Sequence, residues 1–500
     1  MRIKFKIISA LILIGLVMIL ANLIGQESNP SNKPFQATGI KIGEASQTQV
    51  IIWARLTLNP HRVSSKEPMP RILYNDPQTG EARDLNNNDD NKKFNPVVKY
   101  PDGYNVTNIA GAVPGTTGKT CVFYKAQDSQ EWQSTGWEEV SINHDYTHQF
   151  KLTNLLPNTE YQIRVESESL DGIKGQIIEG RFQTAPDPAQ PEKVVFTVVT
   201  GQAYKDRDDG DNGWKIYPQM LKLEPNFFVH TGDMVYYDKL AKTIDLARFH
   251  WARTYSLPSH LEFHRLVNSY FMKDDHDTWT NDAYPGMKTR FMGDFTFKQG
   301  QQVFLDEVPM GESTWRTFRW GKDLQIWLAE GRDFRDDNNV PDWSEKTLWG
   351  AKQKEWFKKS VSESNASFRI LISPTPITGL DRKKKSDNHS SDAFKTEGDE
   401  LRQFISGQKN MMVICGDRHW QYVFKDFKTG LLEFGCGAQD DEHAGSRNKV
   451  VHLPEYKYQN VVGGFLAVTV ERIEGKPIII LQHYSVEGEV LHEEKILTNL

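Results

Sequence analysis

Along residues 35–187 apolar and polar positions alternate in short runs, the period of half-buried β-strands. The runs are 48–56 (TQVIIWARL), 120–125 (TCVFYK), 146–152 (YTHQFKL) and 155–165 (LLPNTEYQIRV). Between them, residues 84–93 (DLNNNDDNKK) read as a polar loop. Residues 184–191 (TAPDPAQP) are proline-rich, which excludes helix and central strand and marks a boundary. Beyond it the rhythm changes. Residues 194–199 (VVFTVV) read as a strand buried on both faces. Trp214, Tyr217, Met220 and Leu221 fall at helical spacing over 211–223. The strand Phe227–His230 follows, then a helix over 239–254, strands at 324–328, 368–373 and 411–415, and a helix over 346–360. From Gly464 the tail is all strand (465–472, 477–484, 487–496). The pattern predicts an α/β core of two stacked sheets flanked by helices (192–500), preceded by an all-β unit (35–187).

In that first unit, Leu155-x-Pro157-x-Thr159-x-Tyr161 resembles the corner between strands E and F of fibronectin type III and immunoglobulin-like sandwiches. There a Tyr hydroxyl bonds back to the chain while its ring packs inside. The resemblance implies a β-sandwich, serving as a spacer or lid or else as a carbohydrate-binding unit.

Composition narrows the class. Five hundred residues with 38% hydrophobic content suffice for two or three packed domains. A net charge of −6 gives no footprint for nucleic acid. The chain starts with Arg2, Lys4 and Lys6, then an apolar run over 7–24, then polar residues. Residues 1–26 therefore read as a secretion signal or a membrane anchor, and the expected location is the periplasm or the extracellular space, free or tethered. Three cysteines, Cys121, Cys415 and Cys436, make no disulfide framework. Cys415 and Cys436 fall on neighbouring strands and would either pair in an oxidising compartment or, the favoured reading, stay buried free thiols.

Three stretches carry candidate chemistry. Phe227–His230 ends in a Thr231-Gly232 break, so Asp233 lands just past a strand end, where ligands collect in α/β sheets. Tyr236 stands three residues on. The second stretch is Lys273-Asp274-Asp275-His276-Asp277, followed by Asn281-Asp282. The third is Cys415-Gly416-Asp417-Arg418-His419, again at a strand end. Acids packed this closely repel one another unless a cation binds them. An Asp with a nearby Tyr, set down by a Gly, suits a hard cation that prefers oxygen ligands. Taken singly, each stretch also fits a polar turn or a helix cap.

Together these stretches resemble the successive metal motifs of the alkaline phosphatase D family of metallophosphatases. Gly39-Ile40-x-x-Gly43, Trp53-Ala54-Arg55, Arg332 with Arg335, and Leu348-Trp349-Gly350-Ala351-x-Gln353-x-x-Trp356 extend the likeness over about residues 37–500. The resemblance implies a four-layer αββα sandwich and hydrolysis of phosphate mono- or diesters by metal-activated water or oxide. Asp233, Tyr236, Asp275, Asn281, Asp417 and His419 would be metal ligands. His276 would be a ligand or proton donor, and Arg332 and Arg335 would grip phosphate or else form structural salt bridges. The implied ions are Ca²⁺ with Fe³⁺ or another transition metal, and the implied partner is a small phosphoester or a phosphorylated polymer. Two positions depart. The family commonly has a Ser-Cys-Gln-like turn whose Cys ligates iron, and this chain has Thr200-Gly201-Gln202. The Arg loop is usually preceded by Asp, and here Glu330 keeps the charge. Two other readings stay open: an exported binding or adhesion module with a structural or decayed metal site, and the same site acting on another ester such as sulfate. Residues 379–392 (GLDRKKKSDNHSSD) are either a solvated surface loop or a basic overhang that attracts anionic esters.

Overall fold

The structure is a computed structural model that describes residues 32–83, 94–380, 385–445 and 452–498. The expected leader (1–26), the polar loop at 84–93 and residues 382–384 of the basic run lie outside the described residues. Among those described, no helix is long and apolar enough to cross a membrane.

Two sheets stack at the centre. The first runs Val490–Leu497, Lys476–Tyr484, Phe465–Ile473, Val194–Val199, Phe227–His230, Asn268–Phe271, Ile40–Gly43, Val50–Arg55, Thr147–Leu152. The second runs Arg316–Trp320, Leu324–Leu328, Phe368–Ser373, Met411–Cys415, Leu432–Cys436, Gln421–Lys425, Tyr456–Asn460. Successive side chains of a strand point to opposite faces, and here both faces are covered. Phe227 and Val229 look inward and meet Ile326, Ile370 and Ile414 of the second sheet in one buried core. Phe228 looks outward onto Tyr217, Met220 and Phe263, from the helices Ile216–Leu221 and Pro258–His264. On the far side, Leu371 and Val413 pack under Phe357, Val361, Leu401 and Ile405 of the helices Ala351–Glu363 and Lys395–Ser406. The result is four layers, αββα. Double coverage is why these strands lack polar alternation.

Three predicted helices start later than the sequence suggested. Residues 211–223 yield only Ile216–Leu221, because Gly213 at φ +114° ends a short 3₁₀ turn first. Residues 346–360 yield Ala351–Glu363, because Gly350 at φ +74° breaks the chain in front of it. The helix expected over 239–254 is Ile244–Tyr255, with the Thr243 hydroxyl as its cap.

In the N-terminal half, the strands Lys174–Gln183, Glu160–Glu168, Lys119–Ala126 and Gln133–Ser134 form a second layer. It faces Ile40–Gly43, Val50–Arg55 and Thr147–Leu152. Ile42, Ile52 and Phe150 share a core with Val122, Tyr161, Ile163 and Val165. The Tyr161 hydroxyl accepts from the Leu156 amide at 2.9 Å. The proline-rich boundary does not separate two independent sheets, however. Ile40–Gly43 pairs in parallel with Asn268–Phe271, Gly43 opposite Ser269, so one sheet runs through both halves. Without that partner, Asn268–Phe271 would be an edge with unpaired backbone groups. A small sheet of Arg71–Asn75, Ala82–Arg83 and Asn95–Lys99 also crosses over, packing Ile72 and Val98 against the cluster of Met234, Tyr237 and Trp251. Cys121, Cys415 and Cys436 are buried free thiols.

Candidate metal centre

Parallel strands from both sheets end at one edge, and the candidate residues lie in the loops just beyond. Asp233 follows Phe227–His230 by three residues and holds φ +60°; Asp417 follows Met411–Cys415 by two and holds φ +59°. Side chains larger than glycine seldom adopt this left-handed backbone, and such residues cluster at functional sites. Gly232, at φ +118°, is required: a Cβ there would lie 2.6 Å from the Asp274 Cβ. That close approach brings the first two stretches together. Asp277 braces them, its Oδ1 accepting from the amides of Asp233 (2.9 Å) and Asp274 (3.1 Å).

Donor atoms of Asp233, Asp275 and His276 lie within 4.8 Å of one another. Tyr236 Oη donates to Asp233 Oδ2 at 3.3 Å, and His419 Nε2 stands 3.7 Å from the same oxygen. Asp233, Asp275, His276, Asn281, Lys385, Asp417, Arg418, His419 and Trp420 line a cavity of about 150 Å³. The predicted ligands therefore converge, with Asp233 at their centre and Asn281 at the exposed rim.

The cluster is overcharged. Burial pushes the Asp233 carboxyl up to about 6, with the Asp275 charge adding and His276 and Arg332 opposing. Burial also lifts Asp277, to about 8, helped by Asp233. Burial raises the Tyr236 phenol well above its usual value, and the neighbouring Asp charges add to it. Burial disfavours charge on Asp275 too, but Arg332 and His276 win and hold it below the ordinary carboxylate range. His276 likewise overcomes burial, because Asp238, Asp275 and Asp233 keep it protonated well above the usual imidazole value. Asp233 Oδ1, Asp274 Oδ2 and Asp277 Oδ2 are buried acceptors without a donor. Orphaned buried carboxylate oxygens call for a cation, and the O- and N-donor set fits one.

The comparisons agree with this geometry. The profile of the PhoD-like phosphatase family matches residues 196–461, just over half of the chain. The chain belongs to the PhoD-like phosphatase family. It is therefore a hydrolase of phosphate esters, in a family whose chemistry uses divalent metal ions. A solved structure of PhoD is similar over 93% of this chain and 89% of its own, at 16% identity and a TM-score of 0.67. The purple acid phosphatase PPD1 from yellow lupin (Lupinus luteus) seeds is similar over 93% and 74%, at 13% identity and a TM-score of 0.61. Both share the fold. No curated protein matches the sequence.

Within this PhoD-like site, the two arginines expected to grip phosphate lie behind the cavity wall. Arg332 is buried, with Nε 2.5 Å from Asp274 Oδ1 and Nη2 3.8 Å from Asp275 Oδ1. It is a counter-charge to the acid cluster. Arg335 donates to Asn338 and sits 5.5 Å over the Phe394 ring. The cations that do line the cavity are Lys385 and Arg418. Lys385 ends the basic run, so that stretch reaches the cleft. Its ammonium is 2.8 Å from Asp387. Sequence reasoning missed three further residues. Asp238 holds His276 Nδ1 and also accepts from the Thr280 hydroxyl (2.7 Å) and the Asn281 amide (2.8 Å). His443 places Nε2 2.6 Å from Tyr236 Oη, and Asp206 stands 3.3 Å from His443 Nδ1. The acid two residues after Tyr236 was a readable signal for Asp238. Nothing local marked His443.

Proposed function

We propose that the chain is an exported, metal-dependent phosphoesterase that hydrolyses phosphate mono- or diesters. The observation that carries this reading is the position of Asp233. Its buried carboxylate lies within reach of Asp275 and His276 and also of Tyr236 and His419. Asp275, Asn281 and Asp417 offer oxygen donors suited to Ca²⁺. Tyr236 and His419 offer donors suited to Fe³⁺ or another transition metal. When bound, such ions orient phosphate, activate water and neutralise charge on the leaving oxygen. The residues do the rest. Lys385 and Arg418 draw the anionic ester into the cavity. Asp238 occupies His276 Nδ1, which leaves Nε2 to hand a proton to the departing alkoxide. Arg332 keeps Asp274 and Asp275 in place. Residues 1–26 would direct export to the periplasm or beyond, cleaved or retained as an anchor. Residues 35–187 would be a fibronectin III-like unit whose role is structural.

Asp233→Asn and His419→Ala should each abolish hydrolysis of p-nitrophenyl phosphate and bis(p-nitrophenyl) phosphate and lower the bound metal. Either variant keeping wild-type turnover and metal content would break the ligand assignment. Metal retention by a wild type without hydrolysis would restore the binding-module reading.

A further inference from the structure

We infer that His443 is a ligand of the transition-metal half of this centre, filling the space that a side chain at position 201 would otherwise take. The inference rests on the metal-dependent reading above. Tyr236 Oη lies 2.6 Å from His443 Nε2 and 3.3 Å from Asp233 Oδ2. His419 Nε2 stands 3.7 Å from that same Asp233 oxygen. The His419 and His443 ring centroids are 4.2 Å apart, inclined by 34°. Two imidazoles, a phenol and a carboxylate are thus linked in one run of contacts, His443 to Tyr236, Tyr236 to Asp233 and Asp233 to His419.

His443 is held as a ligand is held. Its Nδ1 lies 3.3 Å from Asp206 Oδ2, leaving Nε2 to face Tyr236. Metal-binding histidines commonly give their second nitrogen to a carboxylate, which fixes the ring and raises its basicity. The backbone is pinned as well. His443 lies on the turn of helix Asp441–Ala444, where Asp440 Oδ1 accepts from its amide at 2.7 Å. Asp440 Oδ2 accepts from Trp214 Nε1 at 3.2 Å. The Gln439 amide donates to Gly201 O at 3.2 Å, and Thr200 bridges Ala438. The loop that carries His443 is thus stitched to the turn that carries Gly201.

Gly201 supplies the complementary observation. It holds φ +58°, and a Cβ there would stand 3.1 Å from His419 Nε2 and 3.3 Å from His443 Cδ2. Both imidazoles fit because position 201 has no side chain. The glycine that reads from sequence as a lost ligand is the room for another. Nitrogen and oxygen donors without a thiolate favour borderline metals such as Zn²⁺ or Fe²⁺, or harder ones such as Mn²⁺ and Fe³⁺, over soft ones.

The test compares wild type, His443→Ala and Asp206→Asn, each stripped and then titrated separately with Ca²⁺ and with Zn²⁺ or Mn²⁺, followed by elemental analysis. His443→Ala should lose most of its transition metal and keep its Ca²⁺. Asp206→Asn, which spares the ligand itself, should bind the transition metal about 10–100-fold more weakly. Wild-type transition-metal affinity in either variant would overturn the inference while leaving the hydrolase reading intact. If His443→Ala does not fold, Asp206→Asn alone decides. A wild type that takes up no metal and hydrolyses no phosphoester would instead overturn both.

Discussion

Stripped of metal, the protein should lose stability as pH rises from about 4 to about 7, and Asp233 is one of the groups responsible. Its side chain is 2% exposed. Burial first, then the Asp275 charge, raises the carboxyl from 3.8 to about 6. A carboxyl raised on folding holds its proton longer in the folded chain than in the unfolded one. The folded state is then favoured near pH 4 and loses that advantage as pH climbs through the raised value. Just over two units at about 1.4 kcal/mol each gives about 3 kcal/mol. Asp277, raised to about 8, adds a loss of stability across the same range and on to higher pH. Asp275, held low, acts oppositely and only as pH falls below its unfolded value. The difference between wild type and Asp233→Asn reads the Asp233 share together with its push on Asp277. Urea unfolding of the two chelator-treated proteins should show wild type falling about 3 kcal/mol relative to the variant across this range. Restoring Ca²⁺ and a transition metal should flatten the wild-type curve, because the cation replaces the proton. Parallel curves for the two stripped proteins, or a wild type that gains on the variant as pH rises, would refute the charge reasoning.

Other outcomes follow from the same geometry. Asp238→Asn loosens His276 and Asn281 together; charge-assisted hydrogen bonds are worth about 1.5–3 kcal/mol each, so kcat for a phosphomonoester should fall about 10–100-fold. A value within about twofold of wild type would place His276 outside the chemistry. Replacing Arg382, Lys383, Lys384 and Lys385 by Ala should lower kcat/KM at low salt with kcat nearly unchanged, and the loss should shrink as salt screens charges beyond roughly 8–10 Å. An identical kcat/KM ratio at both salts would return this loop to a solvated surface role. Gly201→Cys alone should weaken transition-metal binding, since a side chain at φ +58° costs about 1–3 kcal/mol and crowds both imidazoles. In a His443→Ala background the same thiol should instead strengthen it, and elemental analysis that ranks the variants the other way would contradict the exchange of positions.

What the sequence disclosed was local. The run from Phe227 to Asp233 was readable because a short apolar strand, a glycine and an acid leave little conformational choice. Asp274–Asp277 stood out by its charge density, and Asp417 with His419 by its place after an apolar strand. His443 gave no comparable signal: it sits on a single helical turn, and its importance appears only when Gly201 is 242 positions away in sequence yet beside it in space. Arg332 was recognised, but composition could not say that its guanidinium would spend itself on Asp274. The Pro-rich stretch at 184–191 correctly excluded regular structure. It misled about packing, because Gly43 pairs with Ser269 far along the chain on the other side of that stretch.

That pairing changes what kind of part the N-terminal sandwich is. Its strand Ile40–Gly43 lies against Asn268–Phe271, and three residues past the end of that strand begins the loop that sets Asp274, Asp275 and His276. A slip of one residue in the pairing would turn each side chain to the opposite face. The sandwich is therefore not a bead that recombination could swap for another of its type. A change in its interior is answerable to the register of a neighbour that ends at the acid cluster.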